Sequence, residues 1–241
     1  MKTTRIALAF TFILGTCCSV QAGTQDDFFR ALNSGQVKQL TQQMRPELLE
    51  QVDAPVLEAW MTAMNERLGR VRSIEQTSIT NENKLTTQIE STEATVEFER
   101  GTATSTMQTA DGKLIKFNVV SEQLGDDWFK GPTDTKIYEE LGKTFINRFM
   151  KGQTDDAYAM CHPALQEVVD AEAFAGMVQQ IQGAAGSLQQ LTFKESRVDI
   201  SEDAQYLLLY YDIKSEKATG TCEIKIQFVG LKGHLLGFDF E

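Results

Sequence analysis

The apolar residues Ile137, Leu141, Phe145 and Phe149 recur every four residues, with Tyr138 and Ile146 beside them. That spacing predicts an amphipathic helix opening at an Asp134 N-cap and stopped by Gly152. Upstream, Gly35 stops a shorter helix of the same kind. A short helix follows each, carrying Val37, Leu40 and Met44 in one case and Thr154, Ala157 and Cys161 in the other. Longer helices are predicted from Asp53 and from Asp170, whose carboxylates can accept the free amide hydrogens of the first turn. One presents Leu57, Trp60, Met61, Met64 and Leu68 on a single face, the other Phe174, Met177, Val178, Ile181 and Ala185, before Gly69 and Gly186 end them.

The period then changes from helical to alternating. Cys222, Ile224, Ile226 and Phe228 alternate with Glu223, Lys225 and Gln227, as in a sheet with one buried face. Tyr206 to Ile213 is apolar nearly throughout and suits a central strand. Thr95 to Phe98 alternates likewise, and Asp111-Gly112 is a tight hairpin turn before Lys113 to Val120. Three helices followed by an antiparallel sheet make an α+β unit.

The unit occurs twice. Residues 28–74 match 145–191 without a gap at 10 identities in 47 positions, among them Phe28/Phe145, Gly35/Gly152, Pro46/Pro163, Asp53/Asp170 and Gly69/Gly186. The Asp111-Gly112 turn aligns with Lys232-Gly233 once four extra residues are allowed in the second copy. Turn residues and core positions are preserved together, at a period far longer than that of a solenoid, so the chain reads as a duplicated domain. The expected organisation is a first domain at 23–120, a linker at 121–133 carrying Gly125-Asp126-Asp127 and Gly131-Pro132, and a second domain at 134–241.

This order of elements resembles the nuclear-transport-factor-2-like cone, also called cystatin-like or ketosteroid-isomerase-like. More narrowly, each copy resembles a bacterial domain-of-unknown-function family with that fold. The likeness rests on Phe28-Phe29, Gly35, Met44 to Leu49, Leu57, Trp60, Gly69 to Ile74, Val96 to Glu99 and Asp111 to Leu114 in the first copy. In the second it rests on Phe145, Gly152, Pro163, Leu165, Phe174, Gly186 to Leu191 and Leu235 to Phe240. The resemblance implies two tandem cone-shaped domains, each a curved antiparallel sheet wrapped around N-terminal helices, pairing within a monomeric chain. It carries over no catalytic residue, because the fold serves isomerases, binding modules and assembly domains alike.

Lys2 and Arg5 precede an apolar run from Ile6 to Leu14 that leads to Val20-Gln21-Ala22, the layout of a secretory signal too short to span a bilayer. Cleavage is expected after Ala22, placing the protein in the periplasm or outside the cell. Lipidation at Cys17 is the lesser alternative, since Thr16 is large for the residue before an acylated cysteine. Loss of the signal takes the net charge from −11 to −13. So acidic a chain, without clustered Lys and Arg, does not suit nucleic acid.

Chemistry is sparse. Tyr210 and Asp212 share one face of their strand and, with His162 in Cys161-His162-Pro163, are the candidate ligand-binding or acid-base residues. The alternative for His162 is a cation at an exposed helix end, and for Asp212 and Tyr210 a solvated strand end with amphipathic packing. Cys161 and Cys222 either close a disulfide, stabilising by about 4 kcal/mol in the chain-entropy picture, or stand apart as small hydrophobes. The two histidines and the dispersed cysteines form no metal spacing, and no phosphate-cradling or dinucleotide motif is present, so no metal or cofactor is expected. The expected function is a non-catalytic envelope protein recognising a small ligand, peptide or protein partner. The alternative is an isomerase-like or hydrolase-like enzyme using the second cone.

Overall fold

A computed structural model describes residues 23–84, 87–125, 128–129, 131–200 and 205–241. The expected signal at 1–22, with Cys17 and the cleavage site after Ala22, and parts of the linker lie outside the described residues. The first copy contains α1 (Gly23–Ser34), α2 (Val37–Thr41), α3 (Pro46–Leu49), α4 (Ala54–Leu68), β1 (Val71–Lys84), β2 (Thr87–Phe98), β3 (Gly101–Ala110) and β4 (Lys113–Val120). The second repeats the series as α5 (Lys136–Met150), α6 (Thr154–Tyr158), α7 (Pro163–Val168), α8 (Ala171–Ala185), β5 (Leu188–Ile200), β6 (Gln205–Ser215), β7 (Thr219–Val229) and β8 (Lys232–Phe240). The protein is thus α+β, with two four-stranded antiparallel sheets in the orders β1-β2-β3-β4 and β5-β6-β7-β8. Among the described residues, no helix is long and apolar enough to cross a membrane.

Each copy has one helix more than the three expected. Pro46 and Pro163 open short helices, because proline's missing N–H is not needed in a first turn and its φ is already helical. The α5 N-cap is Thr135 rather than Asp134, although Asp134 Oδ1 accepts the Lys136 N–H at 3.1 Å.

The buried apolar residues form two clusters, one for each copy. Phe28, Leu32, Leu57, Met64, Val96 and Met107 are buried in the first, and Phe145, Phe149, Phe174, Leu209, Tyr211 and Ile224 in the second. A bridge closes each core at the same place. Met44 pairs with Leu114, and Cys161 with Leu235, so the chain just after α2 and α6 adds to the last strand of its copy.

The two hairpins differ. Asp111 and Gly112 both take positive φ, 52° and 75°, and form the tight first-copy turn. Met107 faces Phe117 in one sheet and Ile224 faces Phe238 in the other, which fixes the register of the copies. From that reference the β7–β8 hairpin is two residues longer in each strand, and its tip is Gly230-Leu231. The four extra residues are therefore split across the hairpin, not placed ahead of a Lys232-Gly233 turn.

The lengthened tip reaches the other copy. Val52 bridges Leu231, the Asp53 N–H donates to Leu231 O at 2.8 Å, and Lys232 Nζ donates to Glu50 O. Val56 of α4 is fully buried among the second-copy core residues. Asp53 does not cap α4 with its side chain. Pro55 removes one amide hydrogen from that first turn, and Asp53 Oδ2 instead accepts Tyr138 Oη–H at 2.7 Å and Gly233 N–H at 2.9 Å. Its counterpart Asp170 does cap, accepting Ala173 N–H at 2.8 Å.

Candidate functional site

Where the copies meet, the structure leaves an open groove of about 770 Å³. One wall is the edge strand β4 with Phe117, another is α4 with Trp60, and the hairpin tip with Leu231 closes one end. Trp128 and Phe129 of the linker complete it. The rings form a connected series: Trp60 lies 5.8 Å from Phe117 and 6.5 Å from Trp128, which lies 5.8 Å from Phe129. Trp60 is itself buried, held by the core periodicity of α4, and Phe28 packs behind Phe117 at 5.1 Å, so this wall is anchored from within.

The charge of the groove is opposite to that of the chain. Among its described lining residues the charged side chains are Lys116 and Lys232, with His234 beside them and no carboxylate. His234 is held below the ordinary histidine value by burial first, then by His162 and Lys232, with Asp53 acting in the other direction. Such a surface accepts an apolar, planar body and an anionic end.

The residues singled out from sequence stand elsewhere. Tyr210 and Asp212 lie on the face of β6 opposite Leu209, Tyr211 and Ile213, which are the buried ones. The Asp212 side chain is 58% exposed, 3.8 Å from Lys194. Tyr210 pairs with Glu223, and its phenol is raised by burial first and then by that carboxylate. His162 stands at a helix start and not at a helix end: it is the N-cap of α7, its Nδ1 accepting the Ala164 N–H at 3.1 Å, with its ring 4.9 Å from that of His234. Tyr210 and Asp212 thus share the outer face of one strand, while His162 sits at a helix start beside β8. None of the three is among the described residues that line the groove.

Cys161 and Cys222 are separate, buried, free thiols. Cys161 bridges Leu235 beside α6, whereas Cys222 sits mid-sheet opposite Tyr211 and Phe240. Burial pushes the Cys161 thiol up to about 11 and that of Cys222 higher still. Among the described residues, no group of three or more His, Cys, Asp or Glu could hold a metal ion.

Sequence reasoning treats Trp60 as core, places Phe117 only within a strand, and passes over Trp128-Phe129. The available signal was composition: two adjacent large aromatics in a connector otherwise rich in Gly and Asp. Compared with protein families, curated proteins and solved structures, the chain finds no match.

Proposed function

We propose that the protein is a non-catalytic binding protein of the cell envelope, built from two nuclear-transport-factor-2-like cones and exported by a signal cleaved after Ala22. Its ligand is a small amphipathic anion with a planar or bulky apolar body. The supporting observation is the groove itself: four aromatic rings flanked by Lys116 and Lys232, with no described lining carboxylate, in a chain of net charge −11. An apolar cleft with a few placed polar groups is the usual form of a small-molecule site. The longer β7–β8 hairpin supports the same reading, since the residues that distinguish the second copy complete the groove with Leu231 and Lys232.

The test is equilibrium dialysis with naphthalene-2-sulfonate and with its cationic counterpart 2-naphthylmethylammonium. The anion is expected to bind more tightly, and Lys116→Glu to remove that preference. Equal or tighter binding of the cation overturns the proposal, as does binding unaffected by Trp128→Ala. An extended peptide along the β4 edge would appear as retention of peptides and not of either naphthalene probe, which also overturns it.

A further inference from the structure

The two copies also differ on the core-facing side of the sheet, around the strand positions of Tyr211 and Ala94. In the second copy, Tyr211 fills this space. It is fully buried, its Oη–H donates to Glu139 O at 2.8 Å, and its ring lies against Gly142, where even a Cβ would come within 2.9 Å of Cζ. Around it the matching strand positions are Phe193, Leu207, Leu209 and Ile226, all apolar. Register carries these positions onto the first copy, because Leu191 faces Ile213 as Ile74 faces Val96. Tyr211 becomes Ala94, Gly142 becomes Gln25 and Cys222 becomes Ser105. The apolar quartet becomes Gln76, Glu90, Thr92 and Thr109.

The first copy therefore has a small residue where its twin has a plug, and polar groups where its twin has hydrocarbon. A cavity of about 150 Å³ lies there, lined by Gln25, Asp26, Gln76, Glu90, Thr92 and Thr109 above Ile74 and Met107. Gln25 is 8% exposed, and its Nε2 has no hydrogen-bond partner among the described residues. Ser105, opposite Ala94 on the neighbouring strand, is fully buried, and its Oγ also has no partner among the described residues, though it does not line the cavity. A buried donor left unpaired costs about 1–3 kcal/mol, so the Gln25 amide lining a polar cavity signals an occupant that satisfies it.

We infer that this cavity is a second binding site, for a small cation that also carries a carbonyl or hydroxyl oxygen. Gln25 Nε2–H donates to that oxygen. Glu90 and Asp26 face the positive end, and among the described lining residues there is no Lys, Arg or His to favour an anion. The threonine hydroxyls of Thr92 and Thr109 serve either part. The volume matches about five waters of liquid, which limits the ligand to a molecule of few heavy atoms. The site is independent of the groove, shares no described lining residue with it, and requires the opposite charge.

The probe is glycinamide, which joins an ammonium to an amide carbonyl, with acetamide and acetate as neutral and anionic controls. Side-chain amide NMR of the full chain reads the Gln25 Nε2–H pair directly. A saturable shift of that pair with glycinamide is expected, weaker with acetamide and absent with acetate. Gln25→Met should weaken glycinamide binding about tenfold or more, and Glu90→Gln should erase the preference over acetamide. Thr92→Val provides a further variant if Gln25→Met does not fold. The double change Gln25→Gly with Ala94→Tyr installs the arrangement of the second copy and should abolish the response while leaving the naphthalene-sulfonate site intact. Absence of a saturable Gln25 shift, or an equal shift with acetate, overturns the inference, as does a cavity holding ordered water only while saturated with glycinamide.

Discussion

Tyr138 donates its phenol hydrogen to Asp53 Oδ2 at 2.7 Å, joining the first turn of α5 to the start of α4 in the other copy. The same oxygen accepts Gly233 N–H from the long hairpin. Burial, and then the carboxylate, raise the Tyr138 phenol well above its ordinary value, so it stays protonated and remains a donor. Asp53 and Asp170 are identical residues at matched positions of the repeat, yet one fastens the copies together and the other caps its own helix.

That difference separates two substitutions. Asp53→Ala leaves a buried phenol and a strand amide without an acceptor, and the expected loss in urea unfolding is about 2–4 kcal/mol. Asp170→Ala removes a single cap, at about 1 kcal/mol. Equal losses would mean that the Tyr138–Asp53 contact contributes nothing.

Gly142→Ala is expected to destabilise by about 1–3 kcal/mol through overpacking, because the new methyl meets the Tyr211 ring and displaces its hydroxyl from Glu139 O. Combining it with Tyr211→Leu should recover part of that loss, a non-additivity measured by a double-mutant cycle. Simple additivity would show that the glycine is not there for the tyrosine.

These cases mark how far the sequence is legible. The helices around Phe145, Trp60 and Phe174 follow from a period that burial itself imposes, and the repeat shows that the chain carries the same series of elements twice. Asp53 could not be read correctly, since its partners Tyr138 and Gly233 are distant in the chain and its side chain suits a cap just as well. The hairpin tip was misplaced because a gap in an alignment does not reveal how extra residues divide between two strands. The groove was missed for a related reason: Trp60 and Phe117 carry a core pattern, and only the approach of Leu231 and the linker turns one side of them into a wall.

His234 gives a pH dependence with a definite sign. Its folded value lies below the ordinary 6.5, so between the two values the unfolded chain binds more protons. Stability from this residue is present above the ordinary value and is lost as pH falls through 6.5 toward the folded value. Urea midpoints from about pH 7 to about pH 5 should decline more steeply for the natural protein than for His234→Gln. Parallel profiles would contradict the assignment.

The thiols of Cys161 and Cys222 are expected to resist iodoacetamide in the native protein, because burial keeps both protonated at neutral pH. Without reductant, both should be labelled once urea unfolds the chain. Protection that persists in urea and yields only to reductant would show them joined.

Both tryptophans of the chain, Trp60 and Trp128, line the groove, so intrinsic fluorescence reports its occupancy directly. The account predicts saturable, one-to-one quenching of this fluorescence by naphthalene-2-sulfonate, lost in Phe117→Ala and weakened in Lys116→Glu. Quenching that rises linearly without saturation, or that persists unchanged in both variants, would contradict it.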